Sequence, residues 1–284
     1  MLFYSLCICG IITVQSFSIH NAILSLYKHD SKVPIQVPNL KQVFEDDHNK
    51  LIISTPGGLF GFYFMGVSSF IKENYELDDY VFSGASAGAW NSLFLSLKCD
   101  SQPFIDEILD IDIKNIKSIR TLEERMKNTL LTTYKDEDFD LNKLYLGVTI
   151  FDKCKFQLSI YKDFASLDDA VDCCIASSHI PFITGGPFCI YRNKFSFDGG
   201  FSTYPYLNVP TPSLVIERNL WSSEEEIEDK SNVSVINCSF ETLFDLKKID
   251  VSLRELYEMG YNDSMKNKEF LDSIFIKNIE SSLL

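Results

Sequence analysis

The run Val81-Phe-Ser-Gly-Ala-Ser-Ala-Gly-Ala-Trp90 narrows the folds open to this chain more than any other stretch. A short apolar segment passes through Gly84, Ser86 and Gly88 into a helical one, so the backbone must turn from strand to helix within a few residues. A turn that sharp presses backbones together and needs Gly84 and Gly88 where a Cβ would clash. It leaves the Ser86 hydroxyl exposed at the head of the helix. The pattern reads as a serine nucleophile on a strand-to-helix elbow; the bland alternative is an ordinary helix start rich in small residues.

The same alternation occurs just upstream. Leu51-Ile-Ile53 reads as a short buried strand, followed by Pro56-Gly-Gly58 and an apolar helix from about Gly61 to Lys72. Tyr80-Val-Phe82 is a second strand, leading into the Ser86 turn and a helix to about Lys98. Strand, turn and helix in alternation mark a parallel sheet covered on both faces. The expected fold is therefore α/β, a three-layer α/β/α sandwich with a mainly parallel central sheet. At 284 residues and 45% hydrophobic, the chain can bury the core of one large domain, and it shows no internal repeat. That domain is placed at residues 50–284, with 1–49 as an apolar, signal-like or anchor-like segment and lead-in.

Further along, 103–116 and 122–133 read as helices, and 145–151 and 156–161 as two strands joined by a charged turn. Ser166 followed by Asp168 and Asp169 is a helix-start pattern, with the helix ending before Pro181. Strands are expected at 213–216 and 233–236, with an acidic loop at 222–229 between them. An amphipathic helix from about 251 to 279, interrupted near Gly260, closes the chain.

The formal charge of -14 and the scattered bases argue against nucleic acid as a partner. They leave apolar insertion or a local basic patch as routes to a lipid surface. The apolar run Leu2–Val14 precedes the first charge, Lys28, and has the make-up of a secretory signal core without its basic start. It implies a secretory or membrane-associated location; a buried N-terminal element in a cytoplasmic protein is the alternative. Sequons at Asn232, Asn237 and Asn262 are compatible with the secretory route. Eight cysteines without Cys-x-x-Cys spacing give no reason to expect structural zinc. Most are expected to be buried free thiols.

A serine nucleophile needs a base. His179 is the only histidine after Ser86, in Ala176-Ser-Ser-His-Ile-Pro181, and reads as a helix C-cap or packing residue more readily than as a catalyst. Asp198, in Phe195-Ser-Phe-Asp-Gly-Gly200, is the other candidate: an apolar strand ends on a carboxylate followed by two glycines. With a reference pKa near 3.9, an Asp base needs desolvation and a direct hydrogen bond to the serine. A partly dry acyl-chain pocket would supply the desolvation. The glycines of Ser54-Thr-Pro-Gly-Gly-Leu-Phe-Gly61 let successive amides point at an anion at a helix start. That anion is a tetrahedral oxyanion or, in the competing reading, a phosphate; no Walker lysine follows the glycines.

Taken in order, these motifs resemble the patatin-like phospholipase family. The likeness rests on the glycine turn from Pro56 to Gly61, the Gly84-Ala-Ser86-Ala-Gly88 elbow and the Asp198-Gly-Gly200 motif. It extends to 176–181 and to the Tyr257–Asp263 stretch, and covers about residues 50 to 265. The resemblance implies Ser86 as nucleophile, Asp198 as base, and an oxyanion hole drawn from Gly57, Gly58, Leu59 and Gly61. Gly84 and Gly88 then serve the elbow, and Gly199 and Gly200 the Asp motif. It also implies a lipid acyl ester substrate at a membrane or lipid-droplet surface, with no metal or cofactor. The departure is Pro56, where the family usually has Gly; it removes an N–H and fixes φ. The alternative function is a silent lipid-binding protein that keeps the fold.

Overall fold

The computed structural model describes residues 50–116, 118–201, 211–221 and 251–277. The first half alternates as expected: β1 (Lys50–Ser54), α1 (Gly61–Asn74), β2 (Tyr80–Ala85) and α2 (Ala87–Ser96). Next come α3 (Gln102–Leu109), α4 (Ile119–Thr133), the hairpin β3 (Leu144–Asp152) and β4 (Lys155–Tyr161), and α5 (Leu167–Ser177). Two short strands, β5 (Cys189–Tyr191) and β6 (Lys194–Phe197), precede β7 (Leu214–Ile216) and the helices α6 (Leu253–Lys266) and α7 (Lys268–Ile274). The expected 1–49 lead-in, the 222–229 loop, the 233–236 strand and the sequons at Asn232 and Asn237 lie outside the described residues. Asn262 falls within α6.

The architecture is an α/β sandwich with a mainly parallel central sheet. Its order is β5-β6-β3-β2-β1-β7, with β4 on β3 off that path. β7, β1, β2 and β3 are parallel neighbours, whereas β4 and β6 run antiparallel to β3. The parallel strands are buried on both faces, which is why they read as continuous apolar runs rather than alternating ones. Phe82 and Leu146 lie in the main core, packed with the helices, while Leu51, Val81 and Tyr145 form a smaller cluster with Leu158 and Ile160.

The register along β3 decides where the strand ends meet. β4 pairs with β3 from Leu146 to Asp152, overlapping the stretches paired to β2 (Leu144 to Gly147) and to β6 (Thr149 to Phe151). A strand has only two edges, so β2 and β6 must lie end to end along the other one. Ala85 stands opposite Gly147, and Phe197 opposite Thr149. The residues that follow, 86 and 198, therefore arrive together beside Val148.

Local chemistry explains most boundaries. Ser166 caps α5 by accepting from the Asp169 amide, and Ser252 forms a capping box with Glu255 at α6. The expected helix over 103–116 is corrected: it ends at Leu109, and a separate single turn forms at Ile113–Asn115. The break expected near Gly260 is corrected too. Gly260 lies inside α6, and a Cβ there would sit 2.0 Å from the Tyr63 carbonyl oxygen of α1. Gly66 answers it, since its Cβ would meet the Tyr257 carbonyl at 2.0 Å. The two glycines let α1 and α6 cross at backbone contact, and the helix breaks instead at Asn267. Of the five described cysteines, all free thiols, only Cys173 and Cys174 are buried, so the expectation of mostly buried thiols does not hold for this set. Among the described residues, no helix is long and apolar enough to cross a membrane.

Candidate active site

Ser86 occupies the turn between β2 and α2 with φ 54° and ψ −127°, left-handed backbone that a serine adopts only under constraint. The constraint is backbone crowding. A Cβ at Gly84 would lie 2.2 Å from the Gly88 carbonyl oxygen, and one at Gly88 would lie 1.9 Å from that of Ser54. The Ser86 amide donates to Ser177 Oγ at 2.8 Å, and Ser177 Oγ donates to the Gly147 carbonyl at 2.7 Å. This bridge ties the elbow to β3 and to the end of α5.

Asp198 follows β6. Ser86 Oγ donates to Asp198 Oδ2 at 2.6 Å, while the Gly200 amide donates to Oδ1 at 2.7 Å. The Asp198 amide in turn donates to the His179 carbonyl at 2.7 Å. Gly199 is required at its position because a Cβ would lie 2.2 Å from the Gly147 carbonyl oxygen. Asp198 is only 1% exposed. Burial raises its pKa to about 6, against the lowering effect of the hydrogen bonds from Ser86 and Gly200. A carboxylate in this state is a far better base than a solvated one, yet is still ionised at neutral pH.

The glycine turn abuts the elbow. Gly58 adopts φ 55°, a value glycine takes without strain. The Phe60 amide donates to the Gly57 carbonyl, and the Gly61 amide to the carbonyls of Gly58 and Leu59. No hydrogen bond among the described residues uses the amides of Gly58 or Leu59. Both residues line the same cavity as Ser86 and Ala87, as does Gly61. Gly57 is not in that lining; its Cβ position is crowded by the Phe64 ring at 2.7 Å. Pro56 is accommodated by contact with the Asp motif: its ring atoms lie 3.1 Å from where a Gly200 Cβ would stand.

That cavity runs from Ser86 into the helical layer. Its walls are apolar, with Phe62, Met65, Leu93, Phe104, Leu122 and Met126 prominent. It offers about 90 Å³, where one water needs about 10–15 Å³ in the same measure, so this apolar slot has several times the room of a single water. Glu123 also lines it, buried, and accepts from Ser178 Oγ at 2.5 Å. Trp90 Nε1 donates to the same hydroxyl at 3.3 Å. Desolvation raises the Glu123 carboxyl to about 8, with Ser178 and Arg120 opposing, so the slot is lined by a neutral acid at pH 7.

The structure thus brings together Ser86, Asp198, Gly200, Gly58 and Leu59, and leaves His179 apart. His179 is buried, and burial first, then Arg120, lowers its pKa to about 4. Among the described residues its Nε2 has no hydrogen-bond partner, and its ring faces Gly185; its backbone carbonyl serves Asp198. Sequence reasoning missed Ser177, Ser178 and Glu123. The signal for Glu123 was a charged residue on an otherwise apolar helix face with Leu122, Met126 and Leu130. Among the described residues, no group of three or more His, Cys, Asp or Glu side chains is placed to hold a metal ion.

A family model described as patatin-like phospholipase matches residues 57–211, more than half of the 284. The matched span runs from the glycine turn through the elbow and past the Asp motif. No curated protein matches the chain.

Proposed function

The chain belongs to the patatin-like phospholipase family, whose members hydrolyse lipid esters, and on that premise we propose that it cleaves glycerolipid carboxylic esters with Ser86 as nucleophile and Asp198 as base. Asp198 takes the Ser86 proton as Oγ attacks the ester carbonyl, and the amides of Gly58 and Leu59 receive the developing oxyanion. The carbonyl re-forms, the C–O bond to the alcohol breaks, and protonated Asp198 returns its proton to that leaving oxygen. Water then attacks the acyl-Ser86 ester, giving its proton to Asp198; the C–Oγ bond breaks, Asp198 returns the proton to Ser86 Oγ, and the fatty acid leaves.

The observation that supports this reading best is the 2.6 Å hydrogen bond from Ser86 Oγ to a buried carboxylate at the end of an apolar slot. The slot suits an acyl chain, and phospholipid is the first substrate choice, ahead of triacylglycerol and galactolipid. Purified protein incubated with a lipid panel, with released fatty acid and lysolipid read by mass, tests it. Ser86→Ala and Asp198→Asn should each abolish release, and His179→Ala should keep most of it. Full activity in Asp198→Asn, or loss only in His179→Ala, overturns the dyad.

A further inference from the structure

The antiparallel part of the sheet carries an apolar surface that the chemistry of the site does not use. Directly opposed residues of paired strands share a face. The pairs Phe151↔Phe156, Phe151↔Phe195 and Ile190↔Phe195 therefore set four apolar side chains in one row across β4, β3, β6 and β5. All four are exposed, from 37% at Phe151 to 65% at Ile190. Phe188, also exposed, joins them with its ring centroid 5.5 Å from that of Phe195. On the other face of the same strands, Ile150 and Ser196 are buried. Scattered surface hydrophobes need no explanation, whereas a contiguous row of this kind marks an interaction site.

Its place in the fold ties the row to the slot. Phe151 is four residues past Gly147, the partner of Ala85, so the row stands about 13 Å beyond the end of β2, at a rise of about 3.3 Å per residue. That is the end from which Ser86 follows. Residues 181–188 connect the two regions: Ser178 and Thr184 line the slot, Phe182 is exposed beside them in sequence, and Phe188 joins the row.

The charge is also local. The segments Leu144–Tyr161 and Cys189–Phe197 carry Lys153, Lys155, Arg192 and Lys194 against Asp152 alone, in a chain with 40 acidic and 26 basic residues. Lys153-Cys154 and Arg192-Asn193 are the two-residue turns of the hairpins, all four at positive φ, in the mirror-image turn type that glycine and asparagine usually fill. Basic side chains thus occupy both hairpin tips. Arg192 pairs with Asp169 and Lys194 with Asp152; among the described residues, Lys153 and Lys155 form no salt bridge.

We infer that this face docks the protein on an anionic phospholipid surface, the aromatic row entering the headgroup boundary and Lys153 at the hairpin tip meeting lipid phosphates. Apolar area and basic charge are the two attractions that hold a protein on such a surface. Their presence on the same end of the sheet as Ser86 and its apolar slot favours a lipid layer over a protein partner. The choice of lipid rests on the ester-hydrolase reading of the site.

The test uses full-length Ser86→Ala protein floated with vesicles of phosphatidylcholine, with or without phosphatidylglycerol. It should bind, more tightly to the anionic vesicles. Adding Phe188→Ser with Ile190→Ser should lower the partition coefficient by about tenfold or more. Adding Lys153→Glu should weaken only the anionic arm, and raised salt should mimic it. Phe270→Ser, an exposed aromatic on α7 outside the row, should change nothing. With Ser86 retained, the row and lysine variants should melt as wild type and hydrolyse a dissolved short-chain ester at the wild-type rate. Unchanged partitioning of the row variants overturns the inference. So does a dimer in sedimentation that the row variants dissociate while vesicle binding persists, which would make a second copy the occupant. Row-dependent vesicle binding by a wild-type protein that cleaves no ester refutes the hydrolase reading and leaves the docking surface standing.

Discussion

Replacing Glu123 by Gln should make the protein more resistant to alkaline pH, by an amount the burial of that carboxyl sets. Its folded-state pKa is raised from 4.5 to about 8, with desolvation as the main cause. The folded protein therefore holds a proton that the unfolded chain releases, and stability is full below pH 4.5 and lost as pH rises toward 8. Each pH unit in that window removes about 1.4 kcal/mol. Asp198, raised to about 6, contributes a similar loss at lower pH, and Lys72, lowered by burial to about 8, contributes a gain above pH 8; both are common to wild type and variant, so the difference between the two proteins from pH 6 to 9 reports Glu123. Over it, the wild type should lose roughly 3 kcal/mol more than Glu123→Gln. Urea unfolding followed by tryptophan fluorescence at the two pH values reads the difference. Parallel losses within about 0.5 kcal/mol would show that Glu123 is already charged in the folded state at pH 6. The slot would then carry a buried anion, and its suitability for an acyl chain would be gone.

Other substitutions probe the site's construction. Gly88→Ala places a methyl group where the Ser54 carbonyl oxygen stands at 1.9 Å; it should cost more than about 4 kcal/mol, seen as a collapse of the melting temperature or of soluble yield. Leu122→Trp, which adds bulk to the slot wall, should depress long-chain ester hydrolysis by at least about tenfold while sparing short-chain esters, at a stability cost of about 1–3 kcal/mol. A chain-length series on both proteins checks it, and equal loss on all chain lengths would place the acyl group elsewhere.

What was legible in the sequence were features forced by local sterics. Gly84 and Gly88 around Ser86 could serve few turns other than the one observed, and the cap residue Ser166 announced its helix through one side-chain oxygen. The approach of Asp198 to Ser86 was a candidate rather than a deduction, because it depends on β2 and β6 sharing one edge of β3, a non-local register with no short-range signature. Gly260 misled for a related reason: glycine inside a helix reads as a breaker, while its purpose lies in Gly66 on another helix. The aromatic row was illegible because Phe156, Phe195 and Ile190 alternate as buried strand residues do, and only the sheet's geometry reveals them as exposed.

The central claim, that Asp198 activates Ser86, is tested most directly by the pH dependence of covalent labelling with a fluorescent organophosphonate, the modified peptide being identified by mass. The account predicts label on Ser86, at a rate that rises with pH as Asp198 ionises near pH 6 and then levels, and that falls by at least about 100-fold in Asp198→Asn. Labelling of Ser86 at an unchanged rate in Asp198→Asn, or label on a different residue, would contradict it.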